Sequence, residues 1–526
     1  MPLKPDLGNV NMPFRTLGAA FADYEALHPE KLAIHSIDQG IALTFSDLRD
    51  IVDRTATQMM ATGIKRGDRI AVLCGECVEK LIIMFAAWRC GASACPFHAE
   101  IGTDHLVSIL RTISPALILW RTGDLDGEIL TGPLAAQSFS FTSLDETEGF
   151  FFDLPRRAGQ LPETGSEYGP DDEGCIFATS GTTDTPKCVV WDQLGLWLCG
   201  LSTIKFTGMT ADDRLLEYRT FSWLSPQIVT FMPFVALGLT IVIAKSFSRR
   251  RFMGWVRDHQ ITIAAGVPTV INILLDEPVE FHQDEISSLR LMTASSAPLA
   301  PERWRQFEAF YGIRLLQFYG ASEGGWLCGN RHDKFRIGTA GPPAEHMDLA
   351  ILDFEGKLCA AGIEGEISMR GPQTAVATIT AGGEWEDRTA FRLKERTRVG
   401  DLGVMDNDGF VTVTGRVKDV ILRGGVSISP LEIDAAIMSN PNVHEAAAVG
   451  VPDPIWGEEI VCYVVLAEGK DTSTEQIQSH ATEVLPAFKH PRYIRLVSEL
   501  PKNDRGKVQR ENLKRLWSKT TPTPRS

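Results

Sequence analysis

Residues 178–190 read ATSGTTDTPKCVV, and the residue types gathered there are those that hold phosphate. Thr179, Ser180, Gly181, Thr182 and Thr183 join a flexible backbone to closely spaced hydroxyl donors, and the Lys187 ammonium follows at short range. Backbone N–H groups and hydroxyls converging on one concavity suit a polyphosphate. No Gly-Lys followed by Ser or Thr occurs in the segment, so it is not a Walker loop. Standing alone, it reads equally well as a polar turn. A second pattern, GASEG at 320–324, satisfies the G-x-S-x-G nucleophile elbow with Ser322 as the nucleophile of a serine hydrolase. A third, Cys74 and Cys77 with Cys90 and Cys95 beyond, has only one CxxC and apolar surroundings, which favours buried small hydrophobes over zinc. From Lys489 onward, eleven Lys or Arg stand against Glu499, Asp504 and Glu511, a solvated basic face or a source of cations for phosphate.

These groups must be carried by elements. Apolar, strand-like runs at 70–73, 117–120, 240–244 and 261–264 alternate with helical spacing at 45–62 and 80–90. That alternation predicts an α/β fold with largely parallel sheets. Residues 158–174 are polar and rich in Gly and Pro, a loop within the large domain. Near Gly415 the pattern changes to strand, turn, helix (430–439) and two strands (446–449, 460–466), a compact α+β unit of about one hundred residues.

Composition bounds the function. At 526 residues the chain exceeds one hydrophobic core, and 44% apolar with 23% charged residues is the balance of a soluble globular protein. A net charge of −15 argues against nucleic acid as a main partner, so any polyanion must meet a local positive patch. No apolar stretch reaches the ~20 residues of a membrane span, and 231–244 is interrupted by Pro233 and Gly238. The N-terminus lacks the apolar core of a signal peptide, and ten cysteines are too sparse for a disulfide scaffold. The expectation is a cytoplasmic protein.

The phosphate-type loop is followed, in order, by QFYGASE (317–323), GEISMRGP (365–372), GDLG (400–403), GRVKDVILRGGVSISPLEID (415–434) and LPKNDRGKVQR (500–510). With residues 43–73 ahead of it, the pattern resembles the AMP-forming acyl-CoA synthetases of the adenylate-forming (ANL) superfamily over about residues 30 to 510. The resemblance implies a large multi-subdomain N-terminal α/β domain, 1–416, and a smaller mobile α+β C-terminal domain, 417–526. It implies ATP, Mg²⁺ and coenzyme A: a carboxylate attacks the α-phosphorus, pyrophosphate leaves, and a thiol then displaces AMP from the acyl-adenylate.

Bringing two anions together demands preorganised cations and donors. By resemblance, Lys507 supplies the key cation between carboxylate and α-phosphate, Lys187 serves the phosphate loop, and Glu323 is the magnesium-associated acid. Tyr319 faces adenine, with Gln317, Phe318, Gly320 and Ser322 around it, and Ser296, Ala297 and Pro298 line the junction of nucleotide and acyl group. Asp401 accepts from the ribose hydroxyls, Arg416 reaches the nucleotide, Lys418 is the hinge, and the Gly424–Gly425 strip swings toward the thiol channel.

The chain departs from the family pattern at several places. Asp184 stands at a usual glycine; a carboxylate about 4 Å from a phosphate would cost about 1–4 kcal/mol, so it must point away. Cys188, Val399, Ser295 and Ser296 also replace usual residues, and Ser296 is expected to narrow the acyl pocket. Trp223 lies where many relatives carry histidine, and no acid occurs from 218 to 239, which disfavours an amino-acid substrate. Phe221, Trp223, Val267, Gly324, Gly325 and Trp326 are candidate pocket residues, and Arg219 either pairs with a second carboxylate on the substrate or faces outward.

The expected activity is therefore an acid-thiol ligase acting on a hydrophobic, aromatic or medium-chain carboxylic acid. The chain ends soon after Arg510 without a carrier domain, which favours free CoA over a carrier protein's phosphopantetheine supplied in trans. No nucleic acid and no integral membrane segment is expected, and a homodimer is compatible with the pattern. A nucleotide-binding relative without catalysis and a serine hydrolase are the rival readings.

Overall fold

Thr44 and Asp47 form a reciprocal capping box that starts the helix Phe45–Ala61. The next helix, Val78–Arg89, is apolar on all sides and buried along its whole length, which places it between layers rather than on a surface. Charges inside such a helix must find partners. Arg89 pairs with Asp53 at 2.8 Å and Glu167 at 3.1 Å, Lys80 pairs with Glu76 at 2.6 Å, and Glu79 accepts from the Gln39 amide and the Leu144 N–H.

The computed structural model describes residues 12–98, 101–144, 161–179, 187–380, 382–502 and 508–520. Its fold is α/β, with a large N-terminal domain and a smaller C-terminal one. In the first sheet the strand order is Gly325–Gly329, Arg314–Ala321, Leu291–Ala294, Ile263–Ala264, Arg214–Glu217, Thr240–Ile243, Leu32–Ser36, Ile41–Thr44. All but the two edge strands run parallel. In the second the order is Trp385–Asp387, Ala377–Ile379, Lys187–Asp192, Glu173–Thr179, Ser93–Phe97, Arg69–Leu73, Leu117–Arg121, Ser138–Phe141. Its first four strands are antiparallel and its remaining pairings parallel. One shared core, rich in Phe, Trp and Leu, fills the space between these sheets.

The expectation of largely parallel sheets holds for those two layers and fails beyond residue 340. There, Asp348–Leu352, Gly365–Arg370, Thr397–Met405 and Val411–Arg416 form an antiparallel meander, interrupted between Arg370 and Thr397 where the chain lends Ala377–Ile379 and Trp385–Asp387 to the second sheet. After Arg416 a short turn, Val417–Asp419, leads to the small sheet Val426–Ile428, Ile421–Arg423, Gly457–Leu466, Val443–Asp453, with Tyr493–Leu496 added in parallel. This sheet has its own apolar core with the helices Pro430–Met438 and Thr474–Val484. The basic end of the chain is partly neutralised within this domain, by Lys489–Glu432, Lys502–Glu445 and Arg510–Asp434 pairs. No helix among the described residues is long and apolar enough to cross a membrane.

One carboxylate clamps the entry side of the first sheet. Asp213 accepts from Thr210 N–H (2.8 Å), the Thr262 hydroxyl (2.7 Å) and Arg290 Nη2 (2.8 Å), tying together the starts of three neighbouring parallel strands. Burial alone would raise its pKa, but these donors outweigh burial and hold the carboxyl below the ordinary aspartate value. A depressed value stabilises the fold above the unfolded-state pKa, and the benefit is lost as pH falls through the folded one. On the opposite edge, Ser296 holds φ at +74°, a left-handed conformation that costs a side-chain-bearing residue about 1–2 kcal/mol.

Asp213→Asn should lower stability in urea unfolding at pH 7 by about 2 kcal/mol, the worth of a charge-assisted hydrogen bond. The gap from wild type should close below about pH 4. Ser296→Gly should stabilise the protein by about 1 kcal/mol, since the strain removed exceeds the added freedom of the unfolded chain; unchanged or lower stability would show that residue 296 is not strained in solution.

Candidate active site

The parallel strands of the first sheet all end on one edge, and the loops beyond them face a common side, the usual place for ligands in open α/β sheets. Residues 218–223 follow Arg214–Glu217, residues 265–267 follow Ile263–Ala264, and residues 295–298 follow Leu291–Ala294. At the end of Arg314–Ala321, Tyr319 donates its hydroxyl to Asp401 Oδ2 at 2.6 Å. Asp401 sits opposite Arg416 in the meander, whose Nε lies 3.2 Å from Oδ1. Burial first, and the facing Asp401 carboxylate second, push the Tyr319 phenol well above its ordinary pKa, so it remains a donor.

The remaining parts of QFYGASE are held by close packing. Gln317 is largely buried, with its amide 3.5 Å from the Ala297 carbonyl, and Phe318 packs on Phe206 and Trp326. At Gly320 a Cβ would come within 2.3 Å of the Gly325 carbonyl, so no other residue fits the hairpin there. The Ser322 carbonyl accepts from Trp191 Nε1 at 3.1 Å, and the Glu323 carbonyl accepts from Ala375. The Glu323 carboxylate is half-buried with no partner among the described residues.

Trp191 lies on the strand Lys187–Asp192, so the antiparallel hairpin carrying Lys187 touches the end of the Tyr319 strand. Thr179 and Lys187 are the last register pair of that hairpin, and Lys187 is exposed. Ser180, Gly181, Thr182, Thr183 and Asp184 lie outside the described residues, as does Lys507. Ser296 and Pro298 are exposed at the sheet edge, with Ala297 half-buried between them. Lys418 is exposed in the turn between meander and small sheet. Gly424 and Gly425, both at positive φ, form a two-residue hairpin turn on the small domain, where a Cβ on Gly424 would strike the Trp456 ring.

Several expected pocket residues are engaged in close packing. Phe221 and Trp326 are core residues; Trp326 donates to Thr203 Oγ1 at 2.8 Å. Gly324 and Gly325 pack against Met369 and Cys199. Trp223 and Val267 are half-buried at the strand ends. The expectation of an outward Arg219 is corrected. It is 6% exposed and forms a two-pronged pair with Glu217 (2.8 and 2.7 Å), with Nη1 reaching Ser225 (2.8 Å) and Ser295 (3.4 Å). Glu217 is not among the residues expected from sequence, and the i,i+2 Glu/Arg spacing at the strand end is the signal that marks it.

Comparison with known proteins gives the family. Residues 21–377 match the AMP-binding enzyme family model and residues 432–507 match the AMP-binding enzyme C-terminal domain. The chain is 31% identical to a sulfoacetate–CoA ligase of Cupriavidus necator, covering 95% of this chain and 97% of that one. It is 28% identical to an oxalate–CoA ligase of Arabidopsis thaliana, covering 94% and 97%. Among solved structures, ATP-bound MatB from Rhodopseudomonas palustris superposes with a TM-score of 0.84 at 25% identity, covering 95% of this chain and 99% of that one. The GASEG segment lies inside the AMP-binding enzyme match. From its two family matches and its full-length relatives, the chain belongs to the AMP-binding enzymes, the adenylate-forming acyl-CoA ligases.

Proposed function

We propose that this AMP-forming CoA ligase binds ATP along the edge formed by the Lys187 hairpin, Tyr319 and Asp401, and receives its acid beside residues 218–223 and 265–267. The observation that carries this reading is the Tyr319–Asp401–Arg416 junction, which sets a carboxyl acceptor beside an aromatic face where the Lys187 hairpin also arrives. In this reading the Tyr319 ring meets adenine, Asp401 accepts from the ribose hydroxyls, and Arg416 offsets phosphate charge. Lys187 and the hydroxyls of residues 179–183 take the β- and γ-phosphates, leaving the α-phosphorus open to the carboxylate.

Attack forms the acyl–phosphate bond and breaks the bridge to pyrophosphate; the CoA sulfur then forms a thioester as AMP departs. Lys507 neutralises the two anions in the first step, and rotation about Lys418 exchanges it for the Gly424–Gly425 strip before the second. Glu323, a hard oxygen donor free of other partners among the described residues, fits one protein ligand of a phosphate-bound Mg²⁺, which would offset charge on the leaving pyrophosphate.

For the acid, the apolar faces of Trp223 and Val267 support the hydrophobic or aromatic class. The hydroxyls of Ser225 and Ser295 on Arg219 support a second reading, a small polar acid, in keeping with the sulfoacetate and oxalate ligases among the relatives. Free CoA is the proposed acceptor, with a carrier protein as the alternative.

Pyrophosphate release should be measured across aromatic, medium-chain, dicarboxylic and sulfonated acids, with and without CoA. At least one acid should release pyrophosphate without CoA, and CoA should make the release catalytic. Lys507→Ala should slow adenylation by about 100-fold or more, as expected when one preorganised charge is removed from the transition state. Silence across the whole panel would refute the ligase reading.

A further inference from the structure

Beneath residues 218–223 lies a buried polar cluster that none of the roles above employs. Glu76 and Lys80 sit four residues apart where the strand Arg69–Leu73 passes into the helix Val78–Arg89, and both side chains are buried. Lys80 Nζ donates to Glu76 Oε1 (2.6 Å), Ser222 Oγ (2.8 Å) and the Cys74 carbonyl (3.2 Å), which accounts for its three protons. Glu76 accepts the Thr220 hydroxyl at 2.5 Å and the Phe221 N–H at 3.1 Å. Thr220 Oγ1 accepts the Ser222 N–H, and the Phe221 carbonyl accepts from Gln227. The Thr220 and Ser222 hydroxyls and the Phe221 N–H therefore all end on Glu76 or Lys80.

A buried ion pair is a poor source of stability, because two apolar side chains of the same volume serve as well or better. Its attested use is to fix one conformation. Here the pair crosses between layers: Arg69–Leu73 belongs to the sheet that carries the Lys187 hairpin, whereas residues 218–223 hang from the first sheet. Burial alone would lower the Lys80 pKa, but the facing Glu76 carboxylate leaves it above the ordinary lysine value, so the ammonium keeps all three donors. On the other flank the Glu217–Arg219 pair holds the start of the same loop and reaches Ser295. The loop thus has charged anchors at both ends and Trp223 just beyond them.

We propose that Glu76 and Lys80 are positioning residues for acid recognition: by strapping Thr220, Phe221 and Ser222 to the phosphate-hairpin sheet, they set the wall that Trp223 presents to the acid and so determine which acids are accepted. The proposal rests on the CoA-ligase reading and on the acid lying beside residues 218–223. It predicts that breaking the strap alters the acid site and spares the nucleotide.

The test compares wild type, the charge-free double variant Glu76→Gln/Lys80→Met, and Ser222→Ala, which keeps the ion pair and the Glu76 contacts to Thr220 and Phe221 and removes only the Lys80 contact to the loop. Acid-dependent pyrophosphate release is measured for KM of the acid, KM of ATP and the ranking of a panel of acids, with circular dichroism and thermal unfolding as controls for folding. The double variant should raise KM for the preferred acid about tenfold or more and reorder the panel, with KM for ATP within about twofold of wild type. Ser222→Ala should shift the same two quantities in the same direction by a smaller factor, and it decides the question if the double variant does not fold. Folded variants with an unchanged acid ranking, or with the KM values of acid and ATP rising together, would overturn the proposal. A wild type inactive toward every acid would instead overturn the ligase reading.

Discussion

The Asp401 carboxylate is the junction on which the site depends. It lies on the antiparallel meander, accepts the Tyr319 hydroxyl from the first sheet, and faces Arg416 on the neighbouring strand. Those contacts hold two sequence-distant segments at one point, and they leave a negative acceptor and a positive donor side by side in a partly buried place. Immediately after Arg416 the chain enters the turn that leads to the small domain. The junction and the link into the small domain are therefore neighbours in sequence.

The rest of the large domain delivers chemistry to that point. Parallel strands that end on one edge place four loops side by side, and the second sheet brings its hairpin to the same edge through Trp191 and Ser322. The all-round apolar helix between the sheets supplies rigidity, and its few charges are spent on contacts with loops rather than with solvent. Rigid delivery matters because adenylation joins two anions, and donors that must reorganise during the step lose most of their effect.

Much of this was legible in the sequence. The ordered motifs gave the family, and the 3.6- and 2-residue periodicities gave elements such as Phe45–Ala61 and Gly457–Leu466 within a few positions. Three things were not legible, each for a physical reason. An aromatic residue at a strand end faces core or pocket according to packing that periodicity does not encode, so Trp326 and Phe221 were expected in the pocket and lie in the core. Arg219 reads as a surface residue by type, and its spacing from Glu217 offers a partner without saying that both charges are buried. The Glu76–Lys80 spacing was an ordinary i,i+4 pair, and its meaning comes from Thr220 and Ser222, more than 140 residues away along the chain.

The most direct test of the central claim is a cycle of binding measurements. AMP and its 2′- and 3′-deoxy analogues are titrated calorimetrically into wild type and Asp401→Asn. If Asp401 reads the ribose, removing a hydroxyl costs wild type about tenfold in affinity, the worth of one charge-assisted hydrogen bond, and costs the variant far less. Equal losses in both proteins would mean that the Tyr319–Asp401–Arg416 junction only braces the fold and that the nucleotide is held elsewhere.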